Sequence, residues 1–187
     1  MITIEVNDTQ VLAVLAELGR RCTNLRPAMK EIGEDMVEST KRRFAASTPT
    51  SPDGIPWAAN SQVTLDRFIG LHTKNFRTDG SLAPNKNFKK DGSLSKRGEA
   101  RVAAGAAKKP LTGETKALQD TINPQLDGNS SVRIGSSLPY AAMQQFGGTK
   151  AQWPHLWGDI PARPFLGVSD LDKTNILDIV GSYLVRP

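Results

Sequence analysis

The sequence predicts an α+β fold, with N-terminal helices and a C-terminal helix packed on a small, mainly antiparallel sheet and a long basic insertion. Three observations carry this expectation. Apolar residues recur at helical spacing between Val11 and Phe44 and again between Ile176 and Leu184. Strand-like alternation marks Ser131-Val132-Arg133-Ile134-Gly135, directly after the turn signal Asp127-Gly128-Asn129. Between these regions, at about residues 64–109, lies a Lys/Arg-rich stretch with weak periodicity.

The elements follow in order. Ile2, Ile4 and Val6 share a face of a short strand or extended arm. Asp8 is placed to cap a helix carrying Val11, Leu12, Leu15 and Leu18, with Gly19 near its end. A longer helix starts at Pro27, since proline suits a first helical turn. Met29, Ile32, Met36 or Val37, and Phe44 fall on one face of it, with acids toward its start and bases toward its end, as the helix dipole favours. The run from Ser47 to Pro56, with three prolines and Gly54, stops it. Asp79-Gly80-Ser81-Leu82 recurs as Asp91-Gly92-Ser93-Leu94, which fits either two hairpin tips or two mobile turns. The alanine-rich stretch Ala100–Ala107 forms a helical turn. Thr112 or Gly113 opens a short helix with Leu118, and Ile122 ends it or begins a strand. Pro139 opens a helical segment from Tyr140 to Phe146, stopped by Gly147-Gly148. Ile160 to Val168 is extended, and Asp170 or Asp172 caps a last helix.

With 187 residues the chain fits one domain, expected over 1–187 with the variable basic insertion at about 64–109. No apolar run approaches the roughly 20 residues that span a bilayer, so no membrane association is expected. The N-terminus lacks the basic start and apolar stretch of a signal peptide. The single cysteine, Cys22, fits synthesis in a reducing cytoplasm. The net charge of +5 is uneven: from Arg67 to Leu111 eleven Lys/Arg face three acids, a local balance of +8. This segment is either a solvated loop or a surface for an anionic partner, nucleic acid or an acidic protein ring. Lys74, Arg77, Lys86, Lys89, Lys90, Lys96 and Arg97 are its candidate contacts. Phe76, Leu82, Phe88 and Leu94 would give it apolar anchors on a protein.

Sequence features of catalysis are sparse. His72 and His155 have no second ligand at metal spacing, and Cys22 has no CxxC partner. GxSxG, GxxxxGK[ST] and GxGxxG are absent. No enzymatic activity, cofactor or metal is therefore expected. Trp153 and Trp157 flank Pro154-His155-Leu156, either packing over the domain's own edge or anchoring a subunit contact. In the extended segment Phe165 and Leu166 either fill the core or anchor a neighbour, and Arg163 could pair bidentately with a partner carboxylate.

Four stretches together resemble a known family. They are Ser39-Thr40-Lys41-Arg42-Arg43-Phe44 with Pro52-Asp53-Gly54-Ile55-Pro56-Trp57; Pro110-Leu111-Thr112-Gly113-Glu114-Thr115 with Leu118 and Ile122; Val132-Arg133-Ile134-Gly135 with Tyr140-Ala141-Ala142-Met143-Gln144-Gln145-Phe146-Gly147-Gly148; and Ile160-Pro161-Ala162-Arg163-Pro164-Phe165-Leu166-Gly167-Val168-Ser169. In this order they resemble the virion morphogenesis, or tail completion, family of Mu-like and related tailed phages. The resemblance implies a non-enzymatic virion subunit, made in the host cytoplasm, that forms or completes a homo-oligomeric ring at the head–tail junction (neck) or the head-proximal tail end. Its implied partners are other neck, connector or tail proteins, with packaged DNA nearby. Tyr140, Phe146, Trp153, Trp157, Arg163, Phe165 and Leu166 are the candidate interface residues. The alternative is a nucleic-acid-binding module that uses the basic insertion.

Overall fold

The computed structural model describes residues 8–61, 64–65, 87–89, 91, 93–113, 115–156 and 158–185. The expected arm Met1–Val6, the first Asp-Gly turn at residues 79–82 and half of the basic insertion lie outside these.

Helix α1 spans Thr9–Thr23 and α2 spans Arg26–Ala45, with Pro27 in its first turn as the sequence predicts. Asp8 precedes α1 but makes no side-chain cap bond. The buried face of α2 comprises Ala28, Ile32, Gly33, Met36, Thr40 and Phe44. These positions recur every three to four residues, which is one stripe of a helix. Thr40 is tolerated there because its hydroxyl donates to the Met36 carbonyl at 2.8 Å.

After α2 a tight turn reverses the chain. Ser51 N–H donates to Ile55 O, Gly54 takes φ +79°, and Trp57 N–H donates to Pro49 O, which returns Trp57 to the core. In the second Asp-Gly repeat, Phe88 pairs with Leu94 in an antiparallel bridge, so this copy is a hairpin tip. Helix α3, Lys96–Ala106, follows and is capped by the Ser95 hydroxyl. It is longer than the single turn expected at Ala100–Ala107. The short helix α4 is Ala117–Asp120, starting later than Thr112 or Gly113.

Strands β1 (Ile122–Asp127) and β2 (Ser131–Ser136) form an antiparallel hairpin in which Ile122 faces Ser136 and Asp127 faces Ser131. Gly128 takes φ +67° in the turn. Among the described residues the sheet has two strands, so both are edges, where Pro124 is tolerated. Helix α2 lies across this hairpin so closely that a methyl group at Gly33 would come within 2.8 Å of Pro124 Cβ and 3.0 Å of Val132 Cγ2. Helix α5 spans Ala141–Phe146 and ends at Gly147. The extended segment 160–168 then leads into α6, Asp170–Val185, which runs back along α2 and meets α1 at its far end.

The core sits at the C-terminal end of α2. Phe44, Trp57, Leu118, Ile122, Ala141 and Phe165 form it, flanked by Val37, Ile134, Leu138 and Leu166. The Phe44 and Trp57 rings meet edge to face at 4.8 Å, and the Phe44 and Phe165 rings are tilted against each other at 5.8 Å. Trp57 Nε1 donates to Pro164 O at 2.9 Å, tying the post-α2 turn to the extended segment.

Candidate assembly surfaces

The extended segment is held from within. Gln145 of α5 accepts from the N–H groups of Phe165 and Leu166 and donates to Leu166 O. Arg163 N–H donates to Gln144 O, and Ile160 and Gly148 exchange both backbone bonds. The backbone of this segment is thus largely satisfied inside the subunit.

Two expected interface residues accordingly turn inward. Arg163 is buried, with Nε donating to Ala58 O at 2.7 Å and Nη2 to Ala59 O at 2.8 Å. Within the subunit, two carbonyls of the chain's own loop take the guanidinium that the sequence offered to a partner carboxylate. Burial lowers its pKa by disfavouring the charge. Of the two roles left open for Phe165, the subunit gives it the core one, at 1% exposure. Leu166 is half-buried against the same core.

Three others face solvent. Phe146, at the end of α5, is 79% exposed, Trp153 is 48% exposed and Tyr140 46%. Trp153 lies beside Gly148, where an added methyl would come within 2.5 Å of Met143 Sδ and 3.2 Å of Trp153 Cδ1, and it meets His155 edge on at 6.1 Å. Beside Phe146 is a hollow of about 410 Å³, lined by Gly147, Gly148, Ile160, Pro161 and Ala162 among others. A second, open groove of about 450 Å³ runs past Tyr140, Gln144, Asn60, Lys108 and Asp159. Trp157 lies outside the described residues.

A further surface escaped the expectations. Every residue of α1 is at least partly exposed: Val11 and Val14 are 60% exposed, and Leu12 and Leu15 57%. These residues and Leu18 make one apolar stripe, and none of them reaches the core. Helix α1 is held at its C-terminal end, where Arg21 donates to Tyr183 O and Leu184 O and the Tyr183 hydroxyl donates to Asn24 O. The spacing of Val11, Leu12, Leu15 and Leu18 was legible as a helix face, but not that the face would stay uncovered.

Of the candidate contacts for an anionic partner, Lys89 is exposed, and Lys96 and Arg97 project from the first turn of α3. Lys74, Arg77, Lys86 and Lys90 lie outside the described residues. Among the described residues no group of three or more His, Cys, Asp or Glu could hold a metal ion, and no helix is long and apolar enough to cross a membrane.

The described residues thus form a small α+β unit with apolar side chains exposed along α1 and around Phe146. The chain is a member of the phage virion morphogenesis family, whose model matches residues 6–104 and 93–185. It is similar to the Mu-like prophage FluMu G protein 2 of Haemophilus influenzae, with 34% identity over 70 residues, 37% of this chain and 49% of that protein. The match thus spans about half the length of that relative. No solved structure matches the chain.

Proposed function

We propose that this protein is a non-enzymatic structural subunit of a tailed-phage virion, which forms or completes a ring at the head–tail junction or the head-proximal end of the tail. The observation that carries the reading is the pair of uncovered apolar surfaces, α1 and the Phe146 region, in a chain of the virion morphogenesis family. Apolar patches of this kind on a small subunit mark protein contacts. A closed ring needs two different complementary surfaces on each copy. Neighbouring neck, connector or tail proteins are the other partners in this reading.

The test is deletion of the gene from the phage that encodes it. Filled heads and separate tails that fail to join, or tails of uncontrolled length, restored by the gene in trans, are the expected result. Normal particles in the deletion strain would overturn the reading.

A further inference from the structure

The two uncovered apolar surfaces lie at opposite ends of the subunit. Helix α1 joins the N-terminal end of α2 and rests on the last turn of α6. Phe146 and its hollow border the segment that packs against Phe44, at the C-terminal end of α2. The 20 residues of α2 that separate these ends span about 30 Å.

The surfaces also match in chemistry. From Thr9 to Ala16 the helix carries no charged residue. Its exposed Val11, Leu12, Val14 and Leu15 are branched aliphatic knobs. The hollow beside Phe146 is walled by Gly147, Gly148, Ile160, Pro161 and Ala162, with Thr149, Gln152 and Asp159 at its polar side, and Phe146 itself is 79% exposed at its rim. A chain of net charge +5 repels its own copies, but this contact sets the uncharged stretch Thr9–Ala16 against a lining whose one charged residue is Asp159. Resting on the ring reading above, we infer that α1 of one copy docks its apolar stripe into the Phe146 hollow of the next, a head-to-tail contact between second copies of this chain.

The area sets how strong this contact is. Four aliphatic side chains and one aromatic expose a patch on the order of a few hundred Å² on each partner. A stable interface removes about 800 Å² per partner. The contact alone is therefore weak, and closing a ring on an existing virion component supplies the rest by multivalency.

Site-directed cross-linking tests this in a Cys22→Ser background. Leu15→Cys and Phe146→Cys chains of different mass are mixed, treated with a short bis-maleimide and checked for native circular dichroism. Both positions are exposed, so folding should be unaffected. The inference expects 15–146 cross-links between the two chains, in concentrated solution and in particles carrying both variants. Leu15→Glu and Phe146→Glu should each weaken self-association at least about tenfold. Predominant 15–15 or 146–146 products would mean a two-fold contact and overturn it. So would the absence of any 15–146 product in particles that contain the protein, which would assign the surfaces to another virion protein while leaving the ring reading intact. Particles that lack the protein altogether would instead defeat that reading, and the solution cross-links would still decide the contact.

Discussion

Arg43 of α2 and Asp172 at the start of α6 form a buried ion pair, with side chains 10% and 1% exposed. Asp172 also accepts from the Ser39 hydroxyl at 2.5 Å and from Ser169 N–H at 2.8 Å, while its own N–H donates to the Ser169 hydroxyl. The last two bonds form a capping box for α6. Arg43 further donates to the carbonyls of Phe165 and Gly167. One arginine thus ties the end of α2 to both the extended segment and the last helix.

Removing one member of such a pair strands a buried charge. Asp172→Ala should lower folding stability by about 3–5 kcal/mol. Ser169→Ala, which removes only the cap, should cost about 1 kcal/mol. Chemical denaturation of the two variants checks the order. Equal losses would show that the ion pair adds nothing beyond the cap.

The same site gives stability a pH dependence. Burial pushes the Asp172 carboxyl up, but hydrogen bonds from Ser39 and Ser169, together with the Arg43 charge, outweigh it and hold the pKa below the usual carboxylate value. The carboxylate's stabilisation is therefore fully present above the unfolded-state pKa, about 3.9, and is lost as pH falls through the lower folded value. Wild type should lose stability below about pH 4 more steeply than Asp172→Asn. Parallel acid titrations followed by circular dichroism check this, and equally steep losses in the two proteins would contradict it.

Phe165→Ala should cost about 3–5 kcal/mol, because the ring fills a closed core between Phe44 and its neighbours. The loss should appear in melting of the isolated protein, before any partner is added. Unchanged melting with failed assembly would return Phe165 to an interface.

Two helical glycines should respond oppositely to alanine. At Gly19 nothing lies within 4 Å of the added methyl, so Gly19→Ala should stabilise α1 by up to about 1 kcal/mol. At Gly33 the methyl meets the rigid Pro124 ring at 2.8 Å, and Gly33→Ala should destabilise by about 1–3 kcal/mol despite the better helix former. Thermal melts of both decide it; a stabilised Gly33→Ala would mean that α2 sits farther from the hairpin.

Where one residue's pattern decided the structure, the sequence was legible. The buried face of α2 followed from the spacing of Ile32, Met36 and Phe44, β2 from its alternation, and the end of α5 from Gly147-Gly148. Less legible were roles that depend on a partner far along the chain. Gln145, which holds the backbone of Phe165 and Leu166, stands in no periodic pattern. Asp172 was expected only as a possible cap, because its pairing with Arg43 joins residues 129 apart. Arg163 carried the same ambiguity: a guanidinium suits a carboxylate of a partner as well as carbonyls of its own chain, and only the fold brings Ala58 and Ala59 within reach.

Cryo-electron microscopy of the intact particle tests the central claim most directly. The account predicts density for this α+β subunit as a closed ring of equivalent copies between head and tail or at the head-proximal tail end, with α1 of each copy against the next. Particles whose head–tail junction and tail are fully assigned to other chains, with no density for this one, would contradict it.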